Sequence, residues 1–252
     1  MAHRILVIAG HDSSGRAGLH ADREAARSAG AMCIGIVTAW TWQSGDRVHA
    51  VDPRPADEWS EEARILIRSG VDAVKVGLLP GAEAVRAIGG VLDTALEAGL
   101  PCVVDPVLGA SSGEAFLDAE GIEALHAAVL CRPVVLTPNL PEAVALGGRE
   151  VPGDLPGPVV RRELGEELLR AGLSGLVLKG GHGDEDPVED LVLEPGREPR
   201  IHRHPRVPGA GIRGSGCRHA TRLAVGLAAG MDLAAAASEA AEYVMARIRE
   251  NA

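Results

Sequence analysis

Short apolar runs alternate with longer amphipathic stretches along most of the chain. The runs Ile5–Ala9, Cys33–Thr38, Ala73–Gly77, Cys102–Asp105, Val134–Thr137 and Leu176–Lys179 have the length and content of strands. Helical periodicity falls between them, over residues 18–29, 57–69, 82–98, 119–130, 141–147 and 158–171. Gly30, Gly70, Gly99 and Gly172 stand where a helix C-terminus favours glycine. Strand and helix in regular alternation predict βαβ units, hence an α/β fold with a central, mostly parallel sheet flanked by helices on both faces.

Two stretches break that rhythm. Residues 36–52 read as two extended segments around Ser44-Gly45-Asp46, a hairpin suited to a small β flap over a site. Residues 188–207 read as an edge hairpin turning at Glu194-Pro195-Gly196. His202 and His204 project the same way from it, but without a third ligand a metal site is not the favoured reading. Two helices, over 216–230 and 232–250, close the chain. With no internal repeat, linker or low-complexity tail, a single domain over 1–252 is the economical organisation.

Composition sharpens this picture in three places. The aromatic fraction is 2% against 46% apolar residues, so the core must be built from Val, Leu, Ile and Ala, as helices packed on a buried parallel sheet require. A net charge of −10 argues against a general nucleic-acid binder, which needs a basic surface, while leaving room for a local basic pocket. Cys33, Cys102, Cys131 and Cys217 form no CxxC pair; the first three lie in or beside apolar runs and read as buried thiols of a reducing compartment. No apolar run approaches the roughly 20 residues that span a bilayer, and the N-terminus lacks a signal-peptide pattern, so a cytoplasmic protein without membrane partners is expected.

In open parallel sheets, ligands bind beyond the carboxyl ends of the strands. Those ends carry Gly10-His11-Asp12-Ser13-Ser14-Gly15, Asp105-Pro106, Thr137-Pro138-Asn139 and Lys179-Gly180-Gly181-His182. A carboxylate, an amide, an ammonium and two glycine-rich turns gathered on one edge suit an anionic ligand with Mg²⁺. Any one of these residues is explained by turn chemistry; the set favours a site. Gly214-Ser215-Gly216-Cys217 precedes a helix, where free N–H groups and the helix dipole favour anions and would stabilise a thiolate. Spacing alone leaves open whether this is an anion site or a glycine-rich loop with a packed cysteine. Three other patterns fail. Gly209–Gly214 fits GxGxxG but no βαβ unit follows it, Gly10–Gly15 lacks the Lys and Ser/Thr of a P-loop, and Ser13 and Ser14 lack a nucleophile-elbow context.

Taken in order, these segments resemble the hydroxymethylpyrimidine/phosphomethylpyrimidine kinase branch of the ribokinase-like family over nearly the whole chain. The opening Ile8–Asp22, Thr38-Ala…Gln43, Lys75-Val-Gly77, Asp105-Pro-Val107, Thr137-Pro-Asn-Leu-Pro-Glu142, Lys179-Gly-Gly-His182 and Gly214-Ser-Gly-Cys217 each have a similar counterpart there. The resemblance implies a ribokinase-like fold, often homodimeric, that transfers the ATP γ-phosphoryl group to a hydroxymethylpyrimidine and/or its monophosphate. It implies that Gly10, Asp22, Gln43 and Val107 contact the acceptor, Asn139, Lys179 and Gly181 the nucleotide, and Asp105 and Glu142 the Mg²⁺. Gly214, Gly216 and Cys217 would form the anion hole, with Cys217 near the acceptor hydroxyl. Several positions depart from the family pattern: Arg16 for Gly, Ser111 for Lys, Arg213 for His, Arg218-His219 for Thr-Leu, and no His- and Gly-rich stretch before Asn251-Ala252. The new arginines around the anion site suggest altered phosphate handling. Related kinases of pyridoxine-like or thiazole alcohols, and a non-catalytic ligand-binding homologue, remain alternatives, with Trp40 and Trp42 as unusual residues near the expected pocket.

Overall fold

The six apolar runs become the interior strands of one sheet in a computed structural model that describes residues 2–44, 47–110, 113–148, 157–183, 185–207 and 211–251. The sheet comprises β1 (Arg4–Asp12), β2 (Met32–Ser44), β3 (Arg47–Pro53), β4 (Ala73–Val76), β5 (Cys102–Val104), β6 (Val135–Leu136), β7 (Gly175–Leu178), β8 (Val188–Leu193) and β9 (Arg200–His204). Its spatial order is β3-β2-β1-β4-β5-β6-β7-β8-β9. The pairs from β2 through β1, β4, β5 and β6 to β7 are parallel, and β3, β8 and β9 add antiparallel edges. The chain leaves β1 toward β2 and later returns to place β4 on the other side of β1, which creates a topological switch point where loops diverge.

Helices cover both faces because the interior strands are apolar on both. Leu6, Ile8, Val74 and Val76 pack under α2 (Ala56–Arg68), α3 (Gly81–Glu97), α4 (Ala119–Leu125), α5 (Leu140–Leu146) and α6 (Pro158–Leu169). Ile5, Val7, Ala73, Val103 and Val177 pack under α1 (Gly18–Ser28), α7 (Ser215–Ala228) and α8 (Leu233–Glu250). The second layer is rich in Ala, so α1 and α7 lie close against the strands and bring their N-termini to the sheet's carboxyl edge.

Both expected hairpins form. β2 runs 13 residues, pairing with β1 and then, as a flap strand, with β3; the turn at Gly45 and Asp46 lies outside the described residues. Alternation along the flap separates Thr41 and Gln43, which face inward, from Trp40 and Trp42, which are 40% and 49% exposed. The tryptophans therefore lie off the cavity that Thr41 and Gln43 line.

Two expectations need correction. The helix anticipated over 119–130 is α4 followed by a π turn, His126–Leu130. The carbonyls of Ala127 and Ala128 are taken by Cys131 Sγ at 3.1 Å and Arg132 Nη1 at 2.7 Å, which ends the regular ladder. Cys131 is consequently exposed, and Cys33 is only partly buried; of the three thiols expected inside, Cys102 alone is fully so. No helix among the described residues is long and apolar enough to cross a membrane.

Gly18, the first residue of α1, has φ 55°, and a Cβ there would stand 2.2 Å from the Gly10 carbonyl oxygen. The Gly18→Ala variant should therefore lose more than about 1 kcal/mol of stability, read as a lower midpoint in thermal or urea unfolding.

Candidate active site

The carboxyl ends of the strands open into a cavity of about 780 Å³. Strand order sets its layout. Gly10 of β1, Thr41 and Gln43 of β2, and Leu78 after β4 line one end; Asp105, Asn139 and Lys179 after β5, β6 and β7 line the middle. His204 of β9, Pro205, Arg206 and Val207 after it, and Val244, Met245 and Ile248 of α8 line the other end. Val107, Glu142, Gly181, Gly214, Gly216 and Cys217 also lie on the wall. The structure thus gathers every predicted site residue except Asp22.

At the centre, Lys179 Nζ donates to Asp105 Oδ1 at 2.8 Å, and Thr137 Oγ1 approaches the same oxygen at 3.3 Å. Burial alone would raise the Asp105 carboxyl, but Lys179 and Lys75 outweigh it and hold it below the usual carboxylate range. Asn139 and Glu142 form a reciprocal capping box at the start of α5: Glu142 N–H donates to Asn139 Oδ1 at 2.8 Å, and Asn139 N–H to Glu142 Oε2 at 2.8 Å. Burial pushes Glu142 up to about 7; Lys179 opposes the shift and Asp105 adds to it. No three His, Cys, Asp or Glu side chains among the described residues stand close enough to enclose a metal ion. Two carboxylates, Asp105 and Glu142, are instead the kind of partial set that holds Mg²⁺ jointly with water and substrate phosphate.

The glycine turn settles against that centre. Gly214 has φ 75°, a left-handed N-cap that glycine tolerates, and α7 begins at Ser215. The N–H groups of Gly216 and Cys217 have no backbone acceptor among the described residues, so they are available to an anion. A Cβ on Gly216 would stand 3.2 Å from Lys179 Nζ and 3.3 Å from Asp105 Oδ2, so a bare backbone keeps open the space where ammonium and helix N-terminus converge. That donor set fits a nucleotide phosphate.

Cys217 differs from expectation. Burial pushes its thiol up to about 11, and Lys75 offsets this only in part, so no thiolate stands ready at neutral pH despite the helix N-terminus. The arginines also part company. Arg218 is buried; its guanidinium donates to the Arg16 and Arg213 carbonyls at 3.2 and 2.8 Å and pairs with Glu24 at 2.6 Å, bracing the turn instead of facing the cavity. Arg16 is exposed and lies off the cavity wall, whereas Arg213 lies on it. Ser111 lies outside the described residues.

Asp22 is fully buried, accepting from Lys75 Nζ at 2.9 Å and Thr221 Oγ1 at 2.7 Å, and does not line the cavity. Asp12, Asp190 and Arg206 were not singled out in the sequence, and His219 only as a departure from the family pattern. Asp12 accepts from the backbone N–H groups of Ser14, Arg16 and Ala17 at 2.9, 3.2 and 2.9 Å, shaping the β1–α1 turn; an Asp two residues before Ser in a glycine-rich turn was the available signal. Asp190 of β8 accepts Gly180 N–H at 2.7 Å, and Arg206 Nη1 donates to the Gly181 carbonyl at 3.2 Å, fixing the turn after Lys179. His219 borders the cavity with both ring nitrogens buried and unpartnered among the described residues, and burial pushes it down to about 4. Nothing local in the sequence announces the Asp190–Gly180 and Arg206–Gly181 contacts, because each joins residues well separated along the chain.

A parallel sheet ending in a lysine–carboxylate pair, opposite a glycine-started helix, defines a ribokinase-like small-molecule kinase. The chain belongs to the phosphomethylpyrimidine kinase family, whose sequence profile matches residues 12–252. It is 34% identical over 244 residues to the hydroxymethylpyrimidine/phosphomethylpyrimidine kinase of Rhizobium meliloti, covering 96% of this chain and 89% of that one. Among solved structures it is similar to phosphomethylpyrimidine kinase from Clostridium difficile, with a TM-score of 0.80, 26% identity and coverage of 98% and 99%. It is also similar to Staphylococcus aureus pyridoxal kinase in complex with AMP-PCP and pyridoxal, with a TM-score of 0.85, 27% identity and coverage of 98% and 88%.

The raised Glu142 carries a stability prediction. Its folded value of about 7 lies above the ordinary 4.5, so its contribution is complete below pH 4.5 and is lost as pH rises through 7. The Glu142→Gln variant lacks this loss. Between pH 5 and pH 8, urea unfolding should show the native protein losing on the order of 1–3 kcal/mol relative to that variant.

Proposed function

We propose that the chain is an ATP-dependent kinase of 4-amino-5-hydroxymethyl-2-methylpyrimidine and of its monophosphate, a thiamine-biosynthetic activity. The observation that carries this reading is the convergence of Lys179, Asp105 and the acceptor-free N–H groups of Gly216 and Cys217 on one point of the cavity wall. Phosphoryl transfer depends on positioning and charge stabilisation more than on covalent participation, and this set supplies both. Lys179 contacts the nucleotide phosphates, with the Asn139 and Gly181 turns beside it. Asp105 and Glu142 would hold Mg²⁺ together with water, and the ion would supply charge neutralisation for the phosphate oxygens. The α7 N-terminus receives the transferring group. Gly10, Gln43 and Val107 hold the pyrimidine, and Cys217 enters as a neutral thiol beside the acceptor hydroxyl.

Arg213 is the departing arginine that lines the cavity, and its permanent charge suits an acceptor already bearing a phosphate. The similarity to a pyridoxal kinase structure keeps a pyridoxine-like acceptor as a second reading. A cytoplasmic homodimer is part of the proposal, and light scattering in solution tests the dimer.

ADP release with Mg·ATP, measured separately on hydroxymethylpyrimidine, its monophosphate, pyridoxine and hydroxyethylthiazole, decides among these readings. Turnover on the first two is expected; turnover on pyridoxine alone would transfer the assignment to the second reading, and silence on all four would reject both. On the active acceptor, Asp105→Asn and Gly216→Val should each lower kcat by about 10²–10³. Arg213→Ala should raise KM for the monophosphate by about tenfold while sparing the unphosphorylated acceptor, the loss of one charge-assisted contact.

A further inference from the structure

The chain holds only two lysines, Lys75 and Lys179; the remainder of its 25 Lys and Arg residues are arginines. Both lysines are placed at the site. Lys179 is on the cavity wall, but Lys75 is wholly enclosed in β4, on the face it shares with Ala73 under α1 and α7. Its Nζ donates to Asp22 Oδ1 at 2.9 Å, with both side chains 0% exposed. Thr221 Oγ1 donates to the same oxygen at 2.7 Å, one helical turn beyond Cys217 on α7. The ammonium reaches along the strand toward the carboxyl edge, since a Cβ on Gly77 would stand 2.7 Å from Nζ. The pair therefore lies between β4, α1 and α7, toward the carboxyl edge and the first turn of α7.

A buried ion pair is a poor device for stability, because apolar residues of similar volume serve as well or better. Its persistence under the site points to a role for the charge itself. We propose that the Lys75–Asp22 pair is a positioning element of the phosphoryl-transfer site, whose ammonium sets the electrostatic environment of Cys217 and the α7 turn from below. The charged groups facing Cys217 come from four elements: Lys75 on β4, Asp22 on α1, Asp105 after β5 and Lys179 after β7, with the Gly18 N–H at the start of α1. The two ammonium groups favour the charged thiol and the two carboxylates disfavour it; of these charges, Lys75 is the foremost on Cys217. Lysine suits this position because its charge is compact and needs no planar fork of acceptors. The proposal rests on the reading that Cys217 faces the acceptor.

The test follows the charge through a readout that packing alone does not mimic. Cys217 is partly exposed on the cavity wall, and its alkylation by iodoacetamide at pH 8 is followed by mass spectrometry of the peptide that contains it, which separates it from the exposed Cys131. The Lys75→Met variant should slow alkylation of Cys217 by about tenfold, equivalent to one unit in thiol pKa, and Asp22→Asn should accelerate it. In the kinase assay, Lys75→Met should lower kcat with KM for Mg·ATP unchanged. Unchanged rates, or a shift in the same direction for both variants, would mean a purely structural pair and overturn the proposal. Should a single variant fail to fold, Asp22→Leu combined with Lys75→Met replaces the pair by apolar volume. A folded double variant that alkylates more slowly than the native protein supports the proposal; one that alkylates at the native rate overturns it. Opposite shifts in a protein that turns over none of the acceptors would keep the positioning role and discard the acceptor assignment.

Discussion

The Lys179–Asp105 ion pair is the interaction on which the rest of the site depends. It joins the ends of β5 and β7 across β6, and Thr137, at the end of β6, approaches the shared carboxylate oxygen. Two charges removed from water are costly unless other groups complete their hydrogen bonds. Here Lys179 and the nearby Lys75 keep Asp105 ionised, and Lys179 retains donors beyond the one it gives to Asp105. The pair is thus stable enough to persist without ligand while leaving its ammonium able to meet an anion. It also explains Gly216: any side chain there would press on Lys179 and Asp105, so the helix N-terminus can approach them only through bare backbone.

Around this pair, much of the polar chemistry positions loops and touches no ligand. Asp12 gathers the β1–α1 turn, Asp190 and Arg206 brace the turn after Lys179, and Arg218 ties the glycine turn to α1. Each brace links a loop to an element distant in sequence or to its own backbone. Loops at a sheet edge have few apolar contacts to hold them, so side-chain hydrogen bonds supply the rigidity that a preorganised anion site requires. The two lysine pairs divide the electrostatic task. Lys179–Asp105 meets the cavity, whereas Lys75–Asp22 is sealed beneath it and acts, in the role proposed for it, through its field.

The sheet and its helices were legible because their signals are local. Apolar runs such as Ala73–Gly77 and Cys102–Asp105, and glycines at the ends of α1 and α3, fix element boundaries within a few residues. The carboxyl-edge residues Asp105, Asn139 and Lys179 were legible for the same reason, since parallel topology places strand ends side by side. Residues whose meaning depends on three-dimensional neighbours were not. Asp22 lies in a motif-bearing segment, yet its partners come from β4 and α7, and only the fold shows that they enclose it. Cys217 shows the same limit for electrostatics: the helix N-terminus predicts a lowered thiol, but burial and two carboxylates prevail, and neither is visible in Gly214-Ser-Gly-Cys217. Cys131 fails in the opposite sense, because its apolar flank belongs to a helix that ends in a π turn and turns the thiol outward.

The departures from the family pattern read differently once placed. Arg16, Arg213 and Arg218 suggest, in the sequence, a ring of new positive charge around the phosphates. In the fold they separate: Arg218 is consumed by Glu24 and two carbonyls, Arg16 points to solvent, and Arg213 reaches the cavity wall. A change in phosphate handling therefore narrows from three residues to one. An arginine at that place keeps its charge at every physiological pH and can grip a phosphate through two donors, which a histidine does only when protonated. This favours an acceptor that already carries a phosphate, so on the proposed reading the change at Arg213 alone supports the second phosphorylation.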